Sequence, residues 1–531
     1  MHPYNGPTMP AKDTYYVTTP IYYVNDVPHL GHAYTTVATD VVARFHRQRG
    51  ERVFFLTGTD ENSQKIPRAA EAAGKDPNQW LEEIVPRWRE VWERLDISHD
   101  DFIRTTEERH VKPVQRFAQA LYDKGEVYLG TYRGLYCVSC EQFYKEDELV
   151  DGKCPVHGIP VEHVEEENYF FRLSSYQDRL LQLYEENPTF VQPDERRNEV
   201  IAFVKGGLED LSFSRTTFTW GVPIPWDPKH VIYVWVDALQ NYITAVGYGD
   251  DDARFERIWP ADVHFVGKDI LRFHAVIWPA LLMAAGLPVP KQVFAHGWLL
   301  VGGEKMSKTK LTGIHPLELI DQFGTDAYRY YFLREVQFGA DGSFSWESMV
   351  ARYNADLAND YGNLASRVLA MTAAYFDGMV PEPPAGPGPE SRLAEVAAAA
   401  AGRYDERMLA LDLTEGIAAV WDFVKEVNRY LVEVAPWALA KDPARRDDVA
   451  RAIYAGLESL RILAILTAPV MPGTSAKLWA SLGIEAPLAE QVLPGAAAWG
   501  GLRPGTRTTR GEALFPRIEV DEGAEAEGAG E

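Results

Sequence analysis

The sequence predicts an α/β protein: a Rossmann-like domain split by a cysteine-bearing insertion and followed by an all-helical C-terminal bundle. Three observations carry this prediction. A β-rich run over residues 14–19 is followed by a helical period and then by an apolar strand over 52–57, and strand, helix and strand within about forty residues make a βαβ unit. Short apolar runs over 231–237, 263–269 and 292–297 repeat the pattern later in the chain. From about Ser345 the composition turns to Ala, Leu, Arg and Glu at helical spacing, broken by a proline-rich loop over 381–387, which reads as a helix bundle with one long loop.

In order, residues 1–13 are expected to be a disordered extension and 14–124 the first half of the Rossmann-like domain. Within that half, Ala33, Val37, Val41 and Phe45 recur every four residues and Gly50 ends their helix. The strand over 52–57 leads into Gly58-Thr59-Asp60-Glu61, and a doubly wound sheet would gather Ile21, Tyr23 and Asp60 at the carboxyl ends of its strands. Helical patterns then run from Pro67 to about Lys124. A change of composition at Val127 marks a connective insertion, 125–230, with a return strand over 169–173. The second half of the domain is placed at 231–300, a linker fold at 301–349, the helical domain at 350–518 and a disordered acidic tail at 519–531.

The bulk numbers narrow the class. A chain of 531 residues suggests roughly three or four domains. A net charge of −24 excludes a chain that is polybasic as a whole, so any RNA contact must come from a local basic surface or from specific side-chain readout. The N-terminus has no signal-peptide core, and the longest apolar run, 275–287, falls short of the roughly 20 residues a membrane helix needs. A cytoplasmic protein without membrane contact is the expectation.

All three cysteines fall in one pattern, Cys137-x2-Cys140-x13-Cys154-x2-His157. This spacing suits one tetrahedral Zn2+ rather than a disulfide framework. Three thiolates and an imidazole fill the shell and leave no place for a catalytic water, so the metal's expected role is structural.

His29-Leu30-Gly31-His32 follows Pro28 at a predicted helix start, where free N–H groups and the helix dipole favour an anion. Far downstream, Lys305-Met306-Ser307-Lys308-Thr309 follows Gly302-Gly303. Two histidines at that spacing can equally be core residues or weak metal ligands, and two surface lysines are usually just solvated. Read together they suggest the two sides of a triphosphate site, and no Walker A or GxGxxG run offers a rival.

That pairing resembles the ATP motifs of class I aminoacyl-tRNA synthetases. Further stretches narrow the resemblance to the methionyl-tRNA synthetase family: Pro20-Ile21-Tyr22-Tyr23-Val24-Asn25, Gly58-Thr59-Asp60-Glu61, the cysteine pattern, Tyr233-Val234-Trp235-Val236-Asp237-Ala238, Gly267-Lys268-Asp269-Ile270, Asn363 with Arg367, and Ala435-Pro436-Trp437. The similarity runs from about Tyr15 to Glu519.

The resemblance implies ATP-dependent activation of L-methionine and its transfer to tRNA(Met), initiator included, by a monomer using Mg2+ with the nucleotide. It implies that Asp60 pairs with the α-ammonium, and that Ile21, Tyr23, Trp235, Ala238, Leu239, Tyr242, Phe273, His274 and Trp278 line the thioether pocket. It implies ATP contacts from His29, Gly31, His32, Lys268, Asp269, His296, Gly297, Lys305, Met306, Ser307 and Lys308, of which His29, His32, Lys305 and Lys308 carry the catalysis. Anticodon reading falls to Asn363, Arg367 and Trp437.

Arg215 is a further candidate beside its reading as an ordinary salt-bridge partner. Two departures from the family pattern stand out: Asn62-Ser63 where His-Gly is common, and Thr309 where the lysine loop commonly ends in Ser. A class I synthetase for another apolar or sulfur amino acid, and a non-catalytic RNA- or zinc-binding paralogue, are the competing readings.

Overall fold

The computed structural model describes residues 12–301, 304–305, 314–386 and 388–519. The chain divides into two compact units, one of residues 1–43, 51–298 and 313–317, the other of 44–50, 299–312 and 318–531.

In the first unit, β1 (Thr14–Thr18) and β2 (Tyr22–Tyr23) precede helix α1 (Leu30–Gln48), β3 (Arg52–Asp60), helices α2 (Lys65–Ala72) and α3 (Pro77–Arg94), β4 (Asp101–Arg104) and helix α4 (Glu108–Asp123). The next eight strands are β5 (Val127–Cys137), β6 (Gln142–Tyr144), β7 (Glu162–Phe171), β8 (Val191–Gln192), β9 (Leu211–Ser212), β10 (Ser214–Arg215), β11 (Pro223–Ile224) and β12 (Asp227–Ile232). Two more, β13 (Val263–Gly267) and β14 (Val293–His296), complete the unit.

Seven of these strands form one parallel sheet. β1 lies between β3 and β13, with Val17 opposite both Phe55 and Val263; β14 and β8 extend the sheet beyond β13. Val17, Phe55, Leu56, Phe265, Val266 and Ala295 are buried, as expected of a parallel sheet covered on both faces. The chain leaves β1 towards β3 and returns at β13, so the switch in direction falls between β1 and β13, where a doubly wound sheet opens its crevice.

Three local departures from the sequence reading have physical reasons. The stretch read as continuously helical contains β4, whose four residues are too few to show a period. Its backbone approaches β3 so closely that a Cβ on Gly58 would stand 2.1 Å from the Ile103 carbonyl oxygen. The run over 231–237 is not a strand of the main sheet: β12 ends at Ile232 and pairs antiparallel with β10 and β11, while Val234–Leu239 is a helix with every residue buried. An apolar run this short fits either structure, and pattern alone does not decide between them. Finally, Lys12 and Asp13 are tied to the domain, Lys12 to the Asp262 carboxylate and the Pro260 carbonyl, and Asp13 to Arg52 at 2.9 Å.

Within residues 125–230, β6, β5, β7 and β9 make a separate four-stranded antiparallel sheet, whereas β8 joins the main one. The second unit contains a small sheet of β15 (Leu299–Val301), β16 (Glu304–Lys305) and β17 (Gly342–Phe344), followed by long helices including Glu390–Leu409, Leu413–Val434 and Arg446–Thr467. Arg446–Thr467 is buried all round from Ile453 onwards and is the bundle's central helix. Its Glu458 pairs with Arg461 and accepts the N–H groups of Gly500, Gly501 and Leu502 at 2.8–3.0 Å, which fastens the C-terminal segment to the bundle. No helix among the described residues is long and apolar enough to cross a membrane.

Candidate active site and metal cluster

The first unit gathers most of the residues singled out for the amino-acid pocket. Pairing of β2 with the end of β3 sets Tyr23 opposite Asp60. The helix Val234–Leu239 supplies Trp235, Ala238 and Leu239, and a π-helical turn, Phe273–Ile277, supplies His274. Such turns widen a helix locally and recur at functional sites. Together Pro20, Ile21, Tyr23, Asp60, Trp235, Ala238, Leu239, Asn241, Tyr242 and His274 line a small pocket that is open to solvent on one side.

Two of the expected lining residues, Phe273 and Trp278, are not among those that line it. Phe273 is stacked on Trp235, centroids 3.8 Å apart and planes 10° from parallel, and Trp278 is fully buried against Tyr242 and Trp259. Asn241 and Pro20 line the cavity without having been singled out. Asn241 lies one helical turn beyond Asp237, a spacing that can place both on one face.

Asp60 is the one carboxylate lining the pocket, and its histidine is uncharged. Burial pulls His274 down to about 4. Its Nδ1 lies 3.0 Å from the Ile270 carbonyl, which can only accept, so Nε2 accepts the Tyr242 hydroxyl proton at 2.7 Å. Asp60 is 2 % exposed. Burial, then the nearby Asp237 and Glu141 carboxylates, push its carboxyl well above the usual range, while the Asn62 N–H and Lys65 pull it down. A buried carboxylate among others calls for a cation from the ligand.

The departure at Asn62-Ser63 has a structural account. Asn62 Nδ2 donates to Asp237 Oδ2 at 2.7 Å and to the Thr105 carbonyl at 3.1 Å; His110 Nε2 reaches Asp237 Oδ1 at 3.0 Å. Ser63 donates to Glu141. The sequence reading missed this network because its members come from four distant stretches.

His29 and His32 open α1 with their rings stacked 3.6 Å apart. Gly31 N–H donates to His29 Nδ1 at 3.1 Å and His29 N–H to His32 Nδ1 at 3.2 Å. Both Nδ1 atoms therefore accept, and each neutral ring carries its proton on Nε2, a donor of the kind a phosphate oxygen takes. A Cβ on Gly31 would stand 3.0 Å from the His29 ring, so glycine here lets the ring fold back. His296 ends β14, with Nε2 2.7 Å from the Thr35 hydroxyl of α1 and Nδ1 2.7 Å from the Gly297 carbonyl. Asp269 Oδ1 accepts from Trp298 Nε1 at 3.4 Å, and Lys268 Nζ lies 4.1 Å over the Trp298 ring. Lys305 lies in β16 of the second unit, and Met306, Ser307, Lys308 and Thr309 fall outside the described residues.

Buried histidines give stability a pH dependence. Burial lowers His274 to about 4 and His264 well below its ordinary value, and it lowers His296 as well. Between the ordinary value of 6.5 and about 4 the unfolded chain binds more protons at His274 than the folded one, so this residue's contribution to stability falls as pH drops through that window, while the raised Asp60 and Glu141 carboxyls act in the opposite sense. As pH drops over this range, the melting midpoint of the wild type should fall relative to that of His274→Gln. Identical slopes would contradict a neutral, buried His274.

Cys137, Cys140, Cys154 and His157 converge, with all four ligand atoms within 4.8 Å of one another. Cys140 Sγ–Cys154 Sγ is 3.6 Å and Cys154 Sγ–His157 Nδ1 3.7 Å, close to the edge of roughly 3.7 Å that bonds of about 2.3 Å give a tetrahedron. The donor set fits a metal of zinc's type. The Tyr144 hydroxyl lies 3.2 Å from Cys140 Sγ and 3.6 Å from Cys154 Sγ, placed to donate to the thiolates and orient them.

Arg215 is buried, pairs with Glu166 at 2.5 Å and lies 4.2 Å over the Tyr136 ring, the ordinary salt-bridge reading with an aromatic face added. In the second unit, Arg367 Nη2 donates to Asn428 Oδ1 at 2.6 Å and Asn428 Nδ2 to the Asp360 carbonyl at 2.9 Å. Asn363 Nδ2 faces Asn359 Oδ1 at 3.4 Å. Trp437 is 42 % exposed, the arrangement a Pro436-led helix start favours.

A parallel sheet with a histidine pair at its first helix, a crevice at the strand switch and a C-terminal helical bundle define a class I aminoacyl-tRNA synthetase. The family model for tRNA synthetases class I (M) matches residues 15–161 and 159–369, and that for the anticodon binding domain of methionyl tRNA ligase matches 380–528. The chain belongs to the methionine–tRNA ligase family.

It is 57% identical over 529 residues to the methionine–tRNA ligase of Streptomyces coelicolor, covering 97% of this chain and 98% of that protein. It is 49% identical over 510 residues to the Thermotoga maritima ligase, covering 95% of this chain and 80% of the other. Among solved structures, Mycobacterium tuberculosis methionyl-tRNA synthetase in complex with methionyl-adenylate superposes with a TM-score of 0.92 at 44% identity, covering 95% of this chain and 100% of that one. The free-state structure of the same enzyme gives 0.84 at 42% identity, covering 96% and 99%.

Proposed function

We infer that this chain is a methionine–tRNA ligase that activates L-methionine with ATP and transfers it to tRNA(Met), and that the residues assembled in the first unit hold the amino acid and the nucleotide. The observation that carries the assignment is the pocket: an apolar cavity with Trp235, Tyr242 and a neutral His274 on its walls and one buried carboxylate, Asp60, at the strand end. Apolar and aromatic walls suit a polarizable thioether, and the Asp60 carboxylate suits an α-ammonium.

With methionine so held, one of its carboxylate oxygens attacks the α-phosphorus of ATP; the bond to the β-phosphate oxygen breaks and pyrophosphate leaves. A hydroxyl of the terminal tRNA ribose then attacks the carbonyl carbon of the adenylate, and AMP departs. Neither step needs a protein nucleophile, so the protein contributes positioning and charge stabilisation. His29 and His32 donate to the triphosphate, Asp269 lies towards the ribose and His296-Gly297 towards the adenine. Lys305 and Lys308 act on the triphosphate and the leaving pyrophosphate. Mg2+ bound with the nucleotide would neutralise part of the phosphate charge. The test is charging of tRNA(Met) with methionine by the purified chain; charging with leucine, isoleucine or cysteine instead would refute the assignment.

Cys137, Cys140, Cys154 and His157 would hold one Zn2+, which supplies fold stability and no reaction step. Cys154→Ser should remove the metal and expose the segment between residues 137 and 157 to proteolysis. Full metal content in this variant would sink the ligand set.

Trp437 would stack on a splayed anticodon base while Arg367, held by Asn428, and Asn363 read base edges. Stacking of this kind contributes about 1–3 kcal/mol per base, so Trp437→Ala should raise the tRNA KM by about tenfold or more and leave adenylate formation unchanged. Loss of adenylation in that variant would contradict the division of labour. The enzyme acts in this reading as a cytoplasmic monomer.

A further inference from the structure

Lys65 has no part in the motifs that identify the family, yet it sits against the amino-acid pocket. It opens α2, a position where the helix dipole disfavours a cation, and the first turn of α2 holds no acidic residue to compensate. Local helix chemistry therefore does not explain a lysine here. Its Nζ stands 3.6 Å over the centroid of the Tyr23 ring, the face opposed to an unlike charge in the sense of a cation–π pair. Tyr23 in turn lines the cavity, meets Trp235 edge-on at 6.3 Å and pairs across the sheet with Asp60.

Negative charge is in excess around this corner, and Lys65 is a cation set against it. Three carboxylates are buried together: Asp60 at 2 % exposure, Asp237 at 0 % and Glu141 at 0 %. Asp237 is answered by Asn62 and His110, and Glu141 by Ser63 with Arg215 at longer range. The groups acting on Asp60 are Asp237 and Glu141, both repulsive, the Asn62 N–H and Lys65, the one cation among them.

We propose that Lys65 is a positioning residue for methionine: its ammonium pins the Tyr23 ring over the pocket and offsets the buried negative charge, leaving Asp60 as the anion that takes the substrate's ammonium. This rests on the assignment of the cavity to methionine. It also accounts for a cation placed behind the pocket wall rather than in it, where it would compete with the substrate for Asp60.

The test compares L-methionine with L-methioninol, which keeps the ammonium and thioether but lacks the carboxylate. In Lys65→Met, KM for methionine in pyrophosphate exchange should rise by about tenfold, with kcat within about threefold of wild type. Kd for methioninol should rise by the same factor, and Lys65→Arg should restore both to within about threefold. Lys65→Gln is measured alongside, so that a Lys65→Met protein that fails to fold does not end the comparison. Unchanged methionine KM in the neutral variants would overturn the proposal. So would a weakened methionine with methioninol unaffected, since Lys65 would then contact the carboxylate. Wild-type protein that fails to use methionine would instead refute the function, a result distinct from either.

Discussion

Asp60→Asn should raise the methionine KM by about 10- to 100-fold while the pocket stays folded. The asparagine keeps the shape and one acceptor of the carboxylate but removes the charge, and a charge-assisted hydrogen bond of this kind contributes about 1.5–3 kcal/mol, where every 1.4 kcal/mol is tenfold. The variant should also be at least as stable as the wild type, because Asp60 is pressed by Asp237 and Glu141 and losing a charge there relieves repulsion. Weak binding combined with undiminished stability separates a ligand-directed carboxylate from one that holds the fold. Methionine binding as tight as wild type would remove Asp60 from the amino-group site.

His32→Ala should lower the rate of adenylation by about 10²–10³, the usual cost of removing one donor aimed at charge developing in the transition state, with methionine affinity nearly intact. His32 accepts the His29 N–H and packs 3.6 Å from the His29 ring and 4.9 Å from both Tyr22 and Trp88, so alanine also frees its partner ring. Part of the loss therefore comes from a misplaced His29, and the double variant His29→Ala/His32→Ala should be less impaired than the product of the two single ones. Lys308→Ala is expected to act at the same step. Normal adenylation by both His32→Ala and Lys308→Ala would contradict the phosphate assignment.

Much of this was legible in the sequence where local pattern and burial agree. β1, α1 and β3 follow from β-branched and aromatic runs around an i, i+4 helix, and the convergence of the three cysteines and His157 follows from their fixed spacing. The stretch over 231–237 turns helical at Val234 where its sequence suggests a strand, because its residues are all buried and complete burial erases the periodicity that separates strand from helix. Phe273 and Trp278 illustrate a second limit: an aromatic residue can be assigned to a neighbourhood, but whether it faces a cavity or backs its wall depends on packing that no spacing reveals. Lys65, Glu141, Asn62, Asp237 and His110 were invisible as a group, since their relation is electrostatic and exists only once four segments have folded together.

The most direct test of the central claim is amino-acid-dependent pyrophosphate exchange by the purified wild-type chain with methionine, leucine, isoleucine and cysteine in parallel. The pocket of Trp235, Tyr242, neutral His274 and Asp60 calls for exchange with methionine that exceeds the others by at least about 10² in kcat/KM, because a shaped apolar pocket distinguishes side chains by contacts of about 1–3 kcal/mol each. Exchange driven equally well by leucine or isoleucine, or by cysteine alone, would contradict it.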